Sequence, residues 1–394
     1  MVSDIVKELG AALGRTGTVR LGADHHRLTV PVAGGELAVD VIGDATARRV
    51  VHLLPGGGLN VAANYCTARG RSLARFLADH GYLVIGTTPR EDALTPEAPD
   101  DCTAWGLDSH RADLERVITA AEAVTALPYE LLGHSAGAAL ALDTAARTTA
   151  ARATAARTTG SAGPRRVLVL DTTGPYDPAT EPELVAKAEA LTDLLQQQLD
   201  AGARTLDPGL KGLFARAATA PDAPSGMPRP VPQQAGEPGR FSNLGLLHYA
   251  LTHTRDLPGP ANWIYHRGHS GGTHAFGPTP AEDRFTLTHT PLAVWAEAIE
   301  RLGSGLQPTA LLRDLAAVWA GRTDVHRIDW AAIRADVVWI NAELGRGDHD
   351  SGARLIRAGG ARVDYRVVPG YGHGDVVWSA TAEQDVWTSL LPGR

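Results

Sequence analysis

Short apolar runs alternate with longer amphipathic stretches over residues 1–175 and 331–394. The runs at 28–32 (LTVPV), 36–43 (ELAVDVIG) and 48–58 (RRVVHLLPGGG) predict three strands in close succession. Those at 82–90, 129–133, 165–171, 336–342 and 361–370 predict five more, supported by β-branched residues and by Gly or Pro at their boundaries. Between them, residues 108–126 place Leu114, Val117, Ile118, Ala121 and Val124 on one helical face. Strands that alternate with helices imply βαβ units and a parallel sheet. Parallel strands covered on both faces read as continuous apolar runs, as VLVL (167–170) and DVVWI (336–340) do.

The alternation breaks between 176 and 330. Thr180-Glu181-Pro182-Glu183 has the form of a capping box. It opens a predicted helix with Leu184, Ala188, Leu191, Leu195 and Leu199 on one side. Residues 221–238 carry six prolines and no periodicity, which predicts an extended loop. Helical patterns return at 291–302 and 308–320. The chain therefore divides into a core, 1–175 with 331–394, and a largely helical insertion, 176–330, expected to lie over the sheet as a cap or lid. The Ala/Thr/Arg-rich stretch 148–163 is low in complexity and reads as a long helix end followed by a solvated connection.

Composition narrows the classes. A chain of 394 residues can bury a sizeable core and still carry an insertion. A net charge of −7 offers no basic face for nucleic acid. Two cysteines, Cys66 and Cys102, do not make a disulfide framework. The N-terminal stretch is amphipathic and carries charges early, unlike a secretory leader. No run reaches 18 uninterrupted apolar residues. The expectation is a cytoplasmic protein without a membrane partner; oligomeric state leaves no mark in the sequence.

The strongest chemical signal is Gly133-His134-Ser135-Ala136-Gly137. It follows an apolar strand and opens an Ala-rich helix, the strand-turn-helix setting of a nucleophile elbow. Glycines suit the sharp turn, and the helix N-terminus places positive potential at the serine hydroxyl. A second glycine-rich turn, HLLPGGGLN (52–60), follows the third predicted strand. A histidine, His373, stands in a glycine-flanked loop after the last strand, and an imidazole there could activate a serine. Asp171 closes the strand at 165–171, while Glu343 and Asp348 follow the strand at 336–342.

Together these features resemble the α/β-hydrolase superfamily over nearly the whole chain except 176–330. The resemblance implies the α/β-hydrolase fold, with an eight-stranded, mostly parallel sheet. It implies Ser135 as nucleophile and His373 as base. It implies an oxyanion hole formed by the N–H groups of Ala136 and Gly57, with Gly58 as the alternative donor. Pro55 stands where the superfamily usually has the histidine of its H-G motif. Most members carry the triad acid after the strand equivalent to 336–342, in a pattern like G-x-x-D. Counted from INAELG, that position falls on Gly345. The run GHSAGAALAL…RRVLVLDTTGP is similar to polyketide-synthase thioesterases, whose acid sits at the strand end occupied by Asp171. One subgroup of haloalkane dehalogenases also has an acid after this strand, but Ser135 replaces their aspartate nucleophile. Asp171 is thus the preferred acid, with Asp348 and Glu343 as alternatives.

Weaker patterns have plainer readings. His266, His269 and His274 are spaced like metal ligands but lie in a Gly-rich run that reads as a loop. Asp350 or Ser351 is expected to cap a helix at 351–358, and Asp375 to cap the final helix. The glycines at 56–58 are not followed by the Lys-Ser/Thr of a phosphate loop. No metal or cofactor is expected. Trp263, Trp295, Trp319, Trp330 and Trp339 suit either insertion packing or a roomy apolar pocket. The expected function is hydrolysis of an ester or thioester of a hydrophobic small molecule. The alternatives are a lyase, cyclase or acyltransferase on the same fold, and a ligand-binding protein without turnover.

Overall fold

Nine strands form one sheet in the computed structural model, which describes residues 2–44, 46–68, 71–94, 102–154, 163–231, 239–259 and 267–393. In chain order they are β1 (Gly17–Arg20), β2 (His25–Val32), β3 (Gly35–Ile42), β4 (Arg49–Leu54), β5 (Tyr82–Thr88), β6 (Tyr129–His134), β7 (Arg166–Leu170), β8 (Asp336–Ala342) and β9 (Val363–Val368). Their spatial order is β1-β2-β3-β5-β4-β6-β7-β8-β9. The first three run antiparallel to their neighbours. From β5 to β9 every pairing is parallel.

The sheet thus has one strand more than expected. β1 is four residues long, lies at the edge and is mostly exposed, so it carries no apolar period to read. At the centre the opposite holds: every residue of β5 and β6 is buried.

Apolar clusters cover both faces. On one, helices Val2–Leu13, Leu107–Val124 and Ala136–Thr154 contribute Leu9, Leu114 and Leu142 beside Val39, Val169 and Trp339 of the sheet. On the other, Leu73, Leu77 and Trp378 pack against Leu53, Leu132 and Ile340.

Residues 176–330 join these clusters. Helices Pro182–Asp200 and Thr309–Ala320 pack along one another and add Leu191, Leu195, Leu315 and Trp319 to the first. Helices Asn243–Thr252 and Leu292–Glu300 add Leu247 and Trp295 to the second. The predicted capping box does not form: the helix starts at Pro182 with Glu181 as N-cap and no side-chain cap bond. Glu181 instead accepts the Asp177 N–H at 3.0 Å. The proline-rich stretch is not all loop, because Pro224–Pro228 pairs with Arg240–Ser242; residues 232–238 lie outside the described ones. So do 155–162 of the low-complexity stretch. Among the described residues no helix is long and apolar enough to cross a membrane.

Candidate active site

Ser135 follows β6 directly and adopts a φ of 56°. The turn tolerates no side chain on either flank. A Cβ at Gly133 would lie 2.2 Å from the Gly137 carbonyl oxygen, and one at Gly137 would lie 2.0 Å from that of Leu54. The helix begins at Ala136, so its first N–H groups lack intrahelical acceptors and gather beside the serine.

One strand over, Asp171 repeats the device. Its φ is 47°, and only three non-glycine residues among those described have positive φ: Ala68, Ser135 and Asp171. Such a conformation costs on the order of 1–2 kcal/mol. The parallel ladder holds both residues in place, since Ser135 N–H donates to Leu170 O at 2.9 Å and Asp171 N–H to Ile340 O at 2.8 Å.

The Asp171 carboxylate is fully buried at the end of β8. Its Oδ1 accepts the N–H groups of Ala342 (2.7 Å) and Arg346 (3.0 Å), and its Oδ2 meets Nδ1 of His373. Gly345 makes room for it: a Cβ there would lie 2.1 Å from Oδ2. The glycine found at the usual acid position is therefore the space that Asp171 fills.

Burial pushes the Asp171 carboxyl up to about 6, against the pull of its two N–H donors. Burial also holds the His373 imidazole well below its ordinary range, and His134, Arg346 and His269 push it the same way. Above pH 6 the pair is thus a carboxylate and a neutral imidazole. Nδ1–H donates to Asp171, which leaves Nε2 as the acceptor.

A second histidine ties the site together. The His373 carbonyl can only accept, so His134 Nε2 carries the proton in their 2.9 Å contact. His134 Nδ1 then accepts from Asn64 Nδ2 (3.2 Å), and Asn64 Oδ1 accepts Gly56 N–H (2.8 Å). This chain runs from the glycine turn to the histidine loop. In that turn Gly58 has a φ of 73°, and the Gly57 carbonyl accepts from Gln307 Nε2 at 3.3 Å. A Cβ on Gly57 would stand 3.7 Å from that of Ala136, so the two residues expected to carry the oxyanion N–H groups are neighbours.

Asp375 does not cap a helix with its side chain. Its Oδ1 accepts from Ser270 Oγ (2.8 Å) and Thr290 Oγ1 (2.5 Å), and its Oδ2 from the N–H groups of Gly271 (2.6 Å) and Gly372 (2.8 Å). Backbone bonds from His373 N–H to Gly268 O (3.0 Å) and Gly374 N–H to His269 O (2.8 Å) strengthen the same seam. The histidine loop is thus fastened to residues 268–290 by groups that no local pattern announces.

The alternative carboxylates point elsewhere. Glu343 is exposed and accepts Gly370 N–H at 2.7 Å. Asp348 is exposed and bonds the Tyr365 hydroxyl. Asp350 is the N-cap of the helix Ser351–Ala358 but makes no side-chain cap bond. It pairs instead with Arg354 at 3.5 Å.

Nor do the spaced histidines converge. His269 lines the cavity described below, where burial pushes it down to about 4. His274 lies on the strand Gly272–Ala275 among Phe241, Tyr249, Phe276 and Phe285, and His266 is outside the described residues. Among the described residues only Asp108, Asp143 and His326 bring three ligand-type atoms within 4.8 Å of one another. Arg111 and Arg147 already contact Asp143 there, at 3.3 and 3.4 Å.

A cavity of about 380 Å³ opens over Ser135, Ala136, Gly57, Gly58, His134 and His373. Residues between 176 and 330 supply most of its remaining wall, including Leu213, Trp295, Ile299, Leu312 and Leu315. Of the tryptophans, Trp295 faces this cavity while Trp319 and Trp339 are buried. Trp330 stacks near Trp339, with ring centroids 6.5 Å apart, and Trp263 is not among the described residues. Trp378 and Arg346 also line the cavity. Sequence reasoning missed them, as it missed His134, Asn64 and Gln307. The one available signal was His134, which sits inside the elbow motif itself.

No protein-family model matches the chain, and no curated protein matches it in sequence. Solved structures do match in shape. A soluble variant of monoglyceride lipase from Saccharomyces cerevisiae, solved with a substrate analog, is 11% identical over 94% of each chain, with a TM-score of 0.51. Epoxide hydrolase A from Mycobacterium thermoresistibile is 14% identical over 93% of this chain and 97% of its own, at 0.49. An epoxide hydrolase from Vigna radiata is 15% identical over 94% and 98%, at 0.48. At such identities the likeness speaks of the fold alone: the chain has the α/β-hydrolase fold, extended by β1 at one edge.

Proposed function

We propose that this protein is a serine hydrolase that cleaves an ester or thioester of a hydrophobic small molecule through an acyl-enzyme. The observation that carries this reading is the buried Asp171 carboxylate on Nδ1 of His373, beneath a cavity that Ser135 lines. Asp171 fixes the imidazole tautomer and stabilises the cation that forms on it. His373 Nε2 takes the proton of Ser135 as the hydroxyl attacks the carbonyl, then returns it to the leaving group. The N–H groups of Ala136 and Gly57 receive the developing oxyanion. Such preorganised donors contribute on the order of 10²–10³-fold each. Water then attacks the acyl-enzyme with His373 again as base. The apolar wall from the insertion supports a hydrophobic substrate, and residues 176–330 act as its cap.

The test is covalent. Incubation with a fluorophosphonate, read by intact mass, should add one phosphonyl group to the wild type and none to Ser135→Ala. A wild type that stays unlabelled under conditions that label a known serine esterase would remove the activated serine from this reading.

A further inference from the structure

We propose that Arg346 anchors a carboxylate of the substrate, so that the preferred substrate is an anionic ester or thioester. This rests on the reading of Ser135 as nucleophile and adds to it the charge of what that serine attacks.

Arg346 follows Gly345 in the turn after β8. Its backbone N–H is one of the two that hold Asp171. Any residue other than proline could supply that N–H, so the backbone role does not explain the side chain, whose charge also favours the ionised form of Asp171. The side chain is buried, with the residue 5% exposed, and it lines the same cavity as Ser135, His269 and His373. Its guanidinium carbon stands 4.4 Å from the centroid of the Trp319 ring, and its N–H groups reach the Tyr176 hydroxyl. Burying a guanidinium is expensive, and an apolar residue would pack against Trp319 without that cost. A permanent cation in the wall of a largely apolar cavity is a recognition element for negative charge.

The field of Arg346 reaches the chemistry. It helps to push His134, His269 and His373 below their ordinary range. The same potential draws an anion into the cavity and repels a cation. Lys211 lines the cavity as well, and among the described residues Asp207 is the one carboxylate that lines it. A planar guanidinium fork matches the two oxygens of a carboxylate. Because the Arg346 backbone is pinned to Asp171, the anchor and the His373–Asp171 pair sit on one rigid unit.

Two substrate pairs test this, each matched in size and differing in one carboxylate. One pair carries it on the acyl side (4-nitrophenyl hemiglutarate against 4-nitrophenyl valerate). The other carries it on the leaving group (4-acetoxybenzoate against 4-tolyl acetate). The readout is the ratio of kcat/KM within a pair for one and the same enzyme, so that a general loss of activity cancels. The wild type should favour the anionic member of at least one pair by about 10- to 100-fold, the range of a charged hydrogen-bonded contact. Arg346→Gln should remove most of that preference. Arg346→Lys, which keeps the charge and loses the fork, should retain part of it and serves if the glutamine variant does not fold. A wild type that treats both pairs alike within twofold, or variants that keep its ratio, would overturn the anchor. Absence of fluorophosphonate labelling in the wild type would strike at Ser135 instead, so the two failures are distinguishable.

Discussion

The ends of β7 and β8 lie side by side on the sheet, and each region offers carboxylates. β7 ends in one, Asp171; the turn after β8 holds Glu343, Asp348 and Asp350. The richer turn looks like the better site by composition, and its geometry says the reverse. Asp171 is fully buried, receives two backbone N–H groups and meets His373. Glu343 and Asp348 are exposed and bond to a backbone N–H and a phenol. A carboxylate orients an imidazole when it is desolvated, aimed and held. Exposed neighbours spend their charge on water and surface partners.

The contrast can be broken or sharpened in order of effect. Asp171→Asn should lower kcat by about 10³–10⁴-fold on any ester substrate the enzyme turns over, because an amide stabilises the wrong tautomer and no cation. A rate within tenfold of wild type would take Asp171 out of the site. Gly345→Ala should come next. Its Cβ, 2.1 Å from the present Oδ2, must displace the carboxylate. A displacement near 1 Å is expected to lower kcat by roughly 10²-fold. Thermal melting should show a loss of about 1–3 kcal/mol from overpacking. Unchanged kinetics would mean that the carboxylate does not need this space.

Acid should also act through Asp171. With its carboxyl at about 6, the ionised form that supports catalysis is lost as pH falls. The kcat/KM should therefore fall about tenfold per pH unit below an apparent value near 6, which belongs to the Asp171–His373 pair as a unit. A profile flat down to pH 5 would contradict that ionisation. The smallest effects belong to the other turn. Glu343→Gln and Asp348→Asn should each leave kcat/KM within about twofold of wild type, and a hundredfold loss in either would reverse the comparison.

Much of the fold was legible because it is written in local pattern. Apolar runs marked eight strands, and helical periodicity marked Leu107–Val124. The glycines around Ser135 pointed to a sharp turn whose close contacts exclude any Cβ. β1 was missed because four exposed edge residues carry no period. His134 was legible only as the variable position of a motif. Its partners Asn64 and the His373 carbonyl stand 70 and 239 residues away. Asp375 was misread for the same reason, since Ser270 and Thr290 reach it from 105 and 85 residues off.

The sequence by itself determined the alternation of strand and helix, the elbow at Ser135 and the late histidine. Each depends on residues within a few positions of one another. Only the tertiary structure decided which carboxylate meets that histidine, because Asp171 and His373 are 202 residues apart. Their contact depends on a left-handed turn, two N–H groups from the end of β8 and the empty place of a side chain at Gly345. Burial and aim are properties of packed neighbours, and packing is what a linear pattern does not carry.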